Sequence, residues 1–293
     1  MIKLAKPTVS VILPTRKRKD LLLRFLDSLK DACAEPELVE IVLFIDNDDD
    51  SYDGLSFGFD NLKILRGPRE GMGIASQKAI DISNGDIIFL ANDDSVVETY
   101  GWDEAFRGVH MSYPDRIYLG SPNDMYKNEK VPVFPFFSRR LAKILHPIIP
   151  DYKGAFIDSH LQEIFISLEY LSECRSCFLD EVRFRHLHYR VTKEQPDQTY
   201  RERARFGDDR KFIQLLHLRE NHALQLSRIV LGGKKCDGFS DGYIAALRPA
   251  SSVDYLTSKY LPIGYRVKYF LYLQARRAAA VLYSKNPEIH VLK

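Results

Sequence analysis

The feature that most constrains this chain is a succession of short apolar runs, each stopped abruptly by polar or charged residues. Thr8 to Leu13 (TVSVIL) is β-branched and ends at Pro14, and Glu40 to Asp46 (EIVLFID) ends in an acid. Leu62 to Leu65 forms a third run, and Asp86 to Ala91 (DIIFLA) leads into Asp93 and Asp94. Runs of this length between breakers predict buried strands. Between them, Leu22, Phe25, Leu26 and Leu29 fall at helical spacing behind Asp20, and Gly71 to Ile82 is a second helical segment. Such alternation predicts βαβ units, and hence an α/β fold on a mainly parallel, doubly wound sheet flanked by helices.

Ligands of such sheets bind beyond the carboxyl ends of the strands. Three of the most polar clusters fall there: Pro14-Thr15-Arg16-Lys17-Arg18, Asp46-Asn47 and Asn92-Asp93-Asp94. Strand ends gather polar residues in any protein, so one cluster alone says little. Three clusters with acids or arginines predict a single cleft. Adjacent carboxylates beside a diphosphate suit the oxygen coordination of Mg²⁺ or Mn²⁺.

The 293 residues are 45% hydrophobic and 28% charged, enough apolar material for a sizeable core. Forty-two Lys+Arg against 40 Asp+Glu leave a net charge of +2, which gives no support for a nucleic-acid partner. Cys33, Cys174, Cys177 and Cys236 are too few for a disulfide framework, and the lone C-x-x-C is expected to be buried structural thiols. No signal-like apolar core opens the chain and no apolar stretch is long enough to span a bilayer, so a cytoplasmic protein is expected. The Gly71-Met72-Gly73 segment has Ser76 at the third glycine position and follows the third strand, which argues against a dinucleotide fingerprint.

Beyond residue 110 the spacing predicts strands at 116–119, 131–136 and 181–189, helices at 138–145 and 160–171, and a long helix carrying Phe212 to Val230. The glycines at 232, 233 and 238 punctuate the chain before a final helical segment.

VSVILPTRKRKDLLLRFLDSL, EIVLFIDN and REGMGIASQKAIDISNGDIIFLANDD, in that order, resemble the family 2 glycosyltransferases of the GT-A fold. The resemblance covers about the first two-thirds of the chain. It implies a Rossmann-like GT-A domain at 1–230, with a nucleotide-sugar-binding half at 1–110 and an acceptor half at 111–230, then a helical extension at 231–293. It implies that Pro14, Thr15 and Arg18 lie beside the nucleotide, that Asp46 contacts the base or ribose, and that Arg69 and Gln77 line the donor pocket. Asn92-Asp93-Asp94 occupies the family's D-x-D position, which implies Asp93 toward the ribose or sugar and Asp94 on the metal.

Phe156 to Ile164 (FIDSHLQEI) resembles the family's segment for the catalytic base, which makes Asp158 the candidate, with Glu163 in reserve. Asp158 is equally well placed as a helix N-cap, and the two roles are compatible. Alternation along the predicted strand puts His186 and His188 on one face. The HLHY pattern followed by Asp197-Gln198-Thr199-Tyr200 is similar to the late family segment in which a histidine completes the metal shell. That resemblance ranks His188 before His186. Trp102 follows the metal motif and is either a sugar-stacking acceptor residue or a core filler.

The family resemblance implies an inverting, metal-dependent transfer from a nucleotide-sugar, with UDP as the family's commonest carrier, onto a glycan or lipid-linked acceptor in cell-surface polysaccharide synthesis. A sugar nucleotidyltransferase and a non-catalytic sugar- or nucleotide-binding module are the alternatives. In the tail, Val267, Phe270, Leu271, Ala278, Val281 and Leu282 form one stripe, with Arg266, Lys268, Arg276 and Arg277 largely off it. Residues 264–283 therefore suit either a peripheral contact with an anionic membrane or docking, on the catalytic domain or on a second subunit of a homo-oligomer.

Overall fold

The structure, a computed structural model, describes residues 6–193, 205–232 and 248–285. The Asp197 to Tyr200 pattern, Cys236 and the glycines at 233 and 238 lie outside the described residues.

Two compact units divide the chain, one of residues 1–162 and 175–203, the other of residues 163–174 and 204–293. The first contains the sheet. β1 (Val9–Thr15), β2 (Val39–Asp46), β3 (Leu62–Gly67) and β4 (Ile87–Leu90) lie parallel in the order β3-β2-β1-β4. They are linked through α1 (Lys19–Asp31) and α2 (Met72–Ile82), as the alternation predicts. Past β4 the order continues β7 (Phe136–Ser138), β6 (Leu119–Asn123), β8 (Ser176–His186) and β5 (Ser95–Val97), and here antiparallel pairs enter. The result is a mixed, mostly parallel sheet. Both faces of the central strands are buried, which is why β1, β2 and β4 read as unbroken apolar runs rather than alternating ones.

Three strand boundaries differ from the predicted ones. Ile117 and Tyr118 are buried, but the Ile117 N–H is taken by the Asp115 side chain at 3.0 Å, so the ladder starts only at Leu119. The 131–136 run turns on itself, with Val133 N donating to Val131 O at 2.9 Å. Pro132 and Pro135 have no N–H to offer a ladder, so the strand begins at Phe136. β8 runs from 176 rather than 181 and ends at His186, because Leu187 N leaves the ladder to donate to Asp94 O at 2.7 Å.

Trp102 opens α3 (Trp102–Ser112) and is fully buried, its Nε1 donating to Leu29 O at 3.1 Å. Its ring packs among Phe89, Phe106 and Phe184. This corrects the acceptor reading of Trp102: an indole with both faces in the core has none to offer a sugar. The C-x-x-C expectation is corrected too. Cys33 is buried, but Cys174 is exposed and Cys177 half-buried, because the pair sits at the entry to β8 rather than inside the core.

In the second unit, α7 (Asp209–Gln214) and α8 (Leu216–Val230) replace the single predicted helix, with the break at Leu215. They group with α9 (Asp254–Thr257) and α10 (Ile263–Lys285) rather than with the sheet, so the helical unit begins earlier in the chain than residue 231. At its centre the fully buried Arg219 donates from Nε to Glu163 Oε1 at 2.6 Å, from Nη1 to Phe212 O and from Nη2 to Tyr255 Oη. Tyr255 and Tyr265 donate to Glu163 Oε2 at 3.1 and 3.2 Å. The carboxylate is thus saturated, as a buried ion pair requires. Glu163 is therefore structural, which removes it as the reserve base.

The glycines noted in the sequence have a different purpose from phosphate binding. Gly71 has φ +102°, and a Cβ on Gly73 would stand 2.1 Å from Pro150 O. The N-terminus of α2 thereby accepts the 150–153 segment, with Gly73 N donating to Tyr152 O at 2.8 Å. Gly73→Ala is expected to force the two backbones apart at a cost of about 1–3 kcal/mol. A fall in the denaturant midpoint would be the readout, and an unchanged midpoint would show that the 150–153 segment yields without cost.

Candidate active site

β1, β2 and β4 run parallel and in register, so Thr15, Asp46 and the residues after Leu90 emerge at the same edge of the sheet. Thr15 is buried, and its Oγ1 lies 2.7 Å from Tyr52 Oη and donates to Asp93 Oδ2 at 2.8 Å. Arg18, one turn on, donates from Nη1 to Asp93 Oδ1 at 2.9 Å and approaches Asp94 Oδ2 at 3.7 Å. The chain between them passes through Lys17 at φ +52°, a left-handed conformation unusual for a side-chain-bearing residue. Lys17 N is held there by Asp49 Oδ2 at 2.6 Å, and Arg18 N by Tyr52 Oη at 3.0 Å. The strained turn is what swings Arg18 back over the two acids.

Asp93 and Asp94 are both buried. Burial pushes the Asp93 carboxyl up to about 6 against the pull of Arg18, and the neighbouring Asp94 charge pushes the same way. Asp46 is half-buried and lies 3.2 Å from Arg16 Nη1. Burial raises its carboxyl too, outweighing Arg16, and the exposed Arg69 is near enough for its charge to act on Asp46 and Asp48. Pro14 lies half-buried in β1 opposite Phe44. Gln77 has a different position: it is buried, its Nε2 donates to Asp81 Oδ1 at 2.8 Å and its Oε1 accepts from Ile149 N at 2.9 Å. Its amide ties α2 to the segment that leads to the 157–171 helix.

His186, at the end of β8, is buried with Nε2 3.3 Å from Asp94 Oδ1. On its other side Nδ1 lies 3.7 Å from Asp124 Oδ2. Burial works against its charge, but the two carboxylates outweigh burial and raise the imidazole to about 9. His188 is placed otherwise. The strand has ended, and His188 instead caps α6 (Tyr189–Thr192), its Nδ1 accepting from Arg190 N at 3.1 Å. Of the two histidines, His186 stands against Asp94.

Asp124 was not foreseen. It follows β6 as Asp46 follows the body of β2 and Asp93 follows β4, but with that strand predicted at 116–119 the acid did not stand out as a strand-end residue. It is buried, and its Oδ1 accepts from the backbone N–H groups of Tyr126, Lys127 and Asn128 at 2.7–3.1 Å. Burial opposes its charge, yet His186 and these N–H groups hold the carboxyl below its ordinary value. Tyr52 was also missed, one of three aromatics in a loop rich in polar residues and glycines.

Asp158 lies half-buried in the first turn of α5 (Ile157–Leu171), with Oδ1 accepting from Ser159 N at 2.7 Å. The helix starts one residue earlier, so the N-cap expectation is corrected: Asp158 is an acid of the first turn. The preceding segment is the one seated on the N-terminus of α2, and Lys153 Nζ donates to Glu70 O at 3.3 Å. That docking carries the start of α5 toward the Arg69–Glu70 end of the sheet.

Among the described residues no group of three or more His, Cys, Asp and Glu side chains forms a ready metal cage. Asp94 and His186 do suit an ion of the Mg²⁺ or Mn²⁺ kind that takes few protein ligands and fills its shell with substrate phosphate and water.

This is a Rossmann-like α/β domain with a cluster of buried acids, Arg18 and His186 at the carboxyl edge of its parallel strands. Residues 10–133 match the family model described as Glycosyl transferase family 2. Among solved structures, S. aureus TarS 1–349 is similar at 15% identity and a TM-score of 0.50, over 82% of this chain and 75% of that one. The same protein in complex with UDP-GlcNAc aligns at 16% identity and a TM-score of 0.54, over 76% and 71%. A comparison with curated proteins gave no match. The match to glycosyltransferase family 2 thus spans residues 10–133, and the fold is similar to that of GT-A glycosyltransferases.

Asp124→Asn is expected to lower the His186 pKa from about 9 toward the ordinary imidazole range, since one of the two flanking charges is lost. An NMR titration of the ring would show it; an unmoved pKa would leave Asp94 as the sole determinant.

Proposed function

We propose that this protein is a glycosyltransferase that moves a sugar from a nucleoside diphosphate sugar, with uridine as the base, onto a hydroxyl of a glycan or lipid-linked saccharide, as in cell-surface polysaccharide assembly. The observation that carries the reading is the convergence of Thr15, Arg18, Asp93, Asp94 and His186 at the edge where β1 and β4 end. S. aureus TarS, similar in fold, has been solved with UDP and with UDP-GlcNAc, which supports the choice of carrier.

In this reading Asp46 receives the base or ribose, and Pro14, Thr15 and Arg18 border the nucleotide. Arg69 faces the donor phosphates or sugar. Asp93, fixed by Thr15 and Arg18, is directed at the ribose or sugar. Asp94 and His186 would hold a divalent ion, with His188 the alternative histidine ligand. When bound, that ion offsets the charge that builds on the departing diphosphate. Arg18, already beside Asp94, supplies a second positive group at the same place. Asp158 takes the proton of the acceptor hydroxyl as that oxygen attacks the anomeric carbon. The bond to the diphosphate oxygen breaks on the opposite face, so configuration inverts. Gln77 acts at one remove, by tying α2 to the segment that precedes Asp158.

Purified protein incubated with a panel of UDP-sugars and Mn²⁺ is expected to release UDP. Release of pyrophosphate would establish a nucleotidyltransferase instead, and no turnover with any sugar would leave a binding module. Asp158→Ala should lower kcat by about 10²–10⁴-fold with donor affinity retained, the range of a lost general base. Asp94→Ala should remove both turnover and the Mn²⁺ dependence of nucleotide binding. Circular dichroism melts would establish that each variant is folded.

A further inference from the structure

Among the described residues, helix α10 lies on its own unit through one side. Tyr265 reaches Glu163, Tyr269 stacks 4.3 Å from the Tyr265 ring, Leu273 is buried, and Arg276 pairs with Asp209 at 2.7 Å. The opposite side is apolar and open to solvent. Ile263 is 75% exposed, Val267 46%, Leu271 60% and Leu282 62%. Spaced by four, four and eleven residues, these four fall on one face of a helix, with Ala275 and Ala278 between them. Single exposed apolar residues are ordinary, but a stripe running the length of a 23-residue helix needs an occupant.

Charge identifies it. The helix has five basic residues, Arg266, Lys268, Arg276, Arg277 and Lys285, and not one acid. Arg276 is committed to Asp209, while Lys268 and Arg277 are exposed on opposite flanks of the apolar stripe. A second copy of the helix laid on this stripe would bring basic flank against basic flank, with no acid of either helix to offset the repulsion. An anionic bilayer offers the complementary arrangement, acyl chains for the stripe and phosphate headgroups for its rims. No described helix is long and apolar enough to cross a membrane, so this one would lie in the interfacial plane.

We infer that α10 is a membrane-surface helix, seating the second unit on anionic lipid through Ile263, Val267, Leu271 and Leu282, with Lys268 and Arg277 on the headgroups. The inference does not rest on the proposed reaction. It adds that the acceptor pool lies at a bilayer.

The test uses the full chain, sedimented with vesicles of phosphatidylcholine alone or mixed equally with phosphatidylglycerol. Wild type is expected to pellet with the mixed vesicles and stay in solution with the neutral ones. Val267→Glu with Leu271→Glu should lower the partition coefficient at least about tenfold, since two apolar contacts become charged. Lys268→Glu with Arg277→Glu should lower it about 30-fold, near fivefold for each basic group lost. All four positions are exposed, so the melting temperature should not move. UDP release from a soluble donor should be unaltered in both variants, which keeps this test separate from that of the reaction. Equal pelleting of wild type and the Val267/Leu271 variant would overturn the inference. So would an absence of wild-type pelleting, or a dimer by light scattering that the same variant dissolves; the last would make the stripe a contact between copies.

Discussion

Two adjacent carboxylates, Asp93 and Asp94, sit buried at the end of β4, and the design of the site follows from what that juxtaposition requires. Like charges at this depth repel and lose their hydration, and even with Arg18 and Thr15 pulling the other way Asp93 is held up at about 6. They are tolerable because Arg18 lies across both and Thr15 donates to one of them. Arg18 reaches them only because β1 and β4 are hydrogen-bonded neighbours and the chain after Thr15 turns through a left-handed Lys17. The same turn is pinned from the far side by Asp49 and Tyr52. Strand order, backbone strain and charge balance are therefore one arrangement. Loosening any of them would leave an unpaired acid in the interior.

The histidine extends that balance across the sheet. β8 enters from the antiparallel half and stops at His186, where the ring falls between Asp94 and Asp124. An imidazole held between two carboxylates is fixed in orientation by both. Asp124 itself is fixed by three backbone N–H groups. Such a carboxylate–imidazole–carboxylate line resembles the outer support given to metal-binding histidines, in which the far acid sets the ring and the near face is left for the ligand. It accounts for the preference for His186 over His188 without reference to sequence pattern.

Much of the fold was legible in the residues. The unbroken apolar runs of β1, β2 and β4 announced strands buried on both faces, and their polar stops located the edge where the candidate site lies. Those signals are local, and a parallel sheet writes them plainly. The second half was less legible because its boundaries depend on partners remote in sequence. Ile117 and Tyr118 are as apolar as any strand residue, yet an Asp115 side chain takes the N–H that a ladder would need. Misplacing that strand concealed Asp124. Tyr52 was concealed differently, in an aspartate- and glycine-rich loop whose aromatics, Tyr52, Phe57 and Phe59, follow no strand or helix period.

The sequence by itself determined the α/β class, the strand-end acids and the basic, acid-free tail helix, because each is a property of neighbouring residues. It left Trp102 with two roles and the two histidines as alternatives, and it placed Gln77 and Glu163 by resemblance alone. Only the tertiary structure decided among them, by burying Trp102 in an aromatic core, closing the Gln77 amide and the Glu163 carboxylate with partners, and ending β8 one step before His188 could turn inward. The reason is physical: a side chain's chemistry is set by its desolvation and by the groups left facing it, and those groups come from strands and helices far away along the chain.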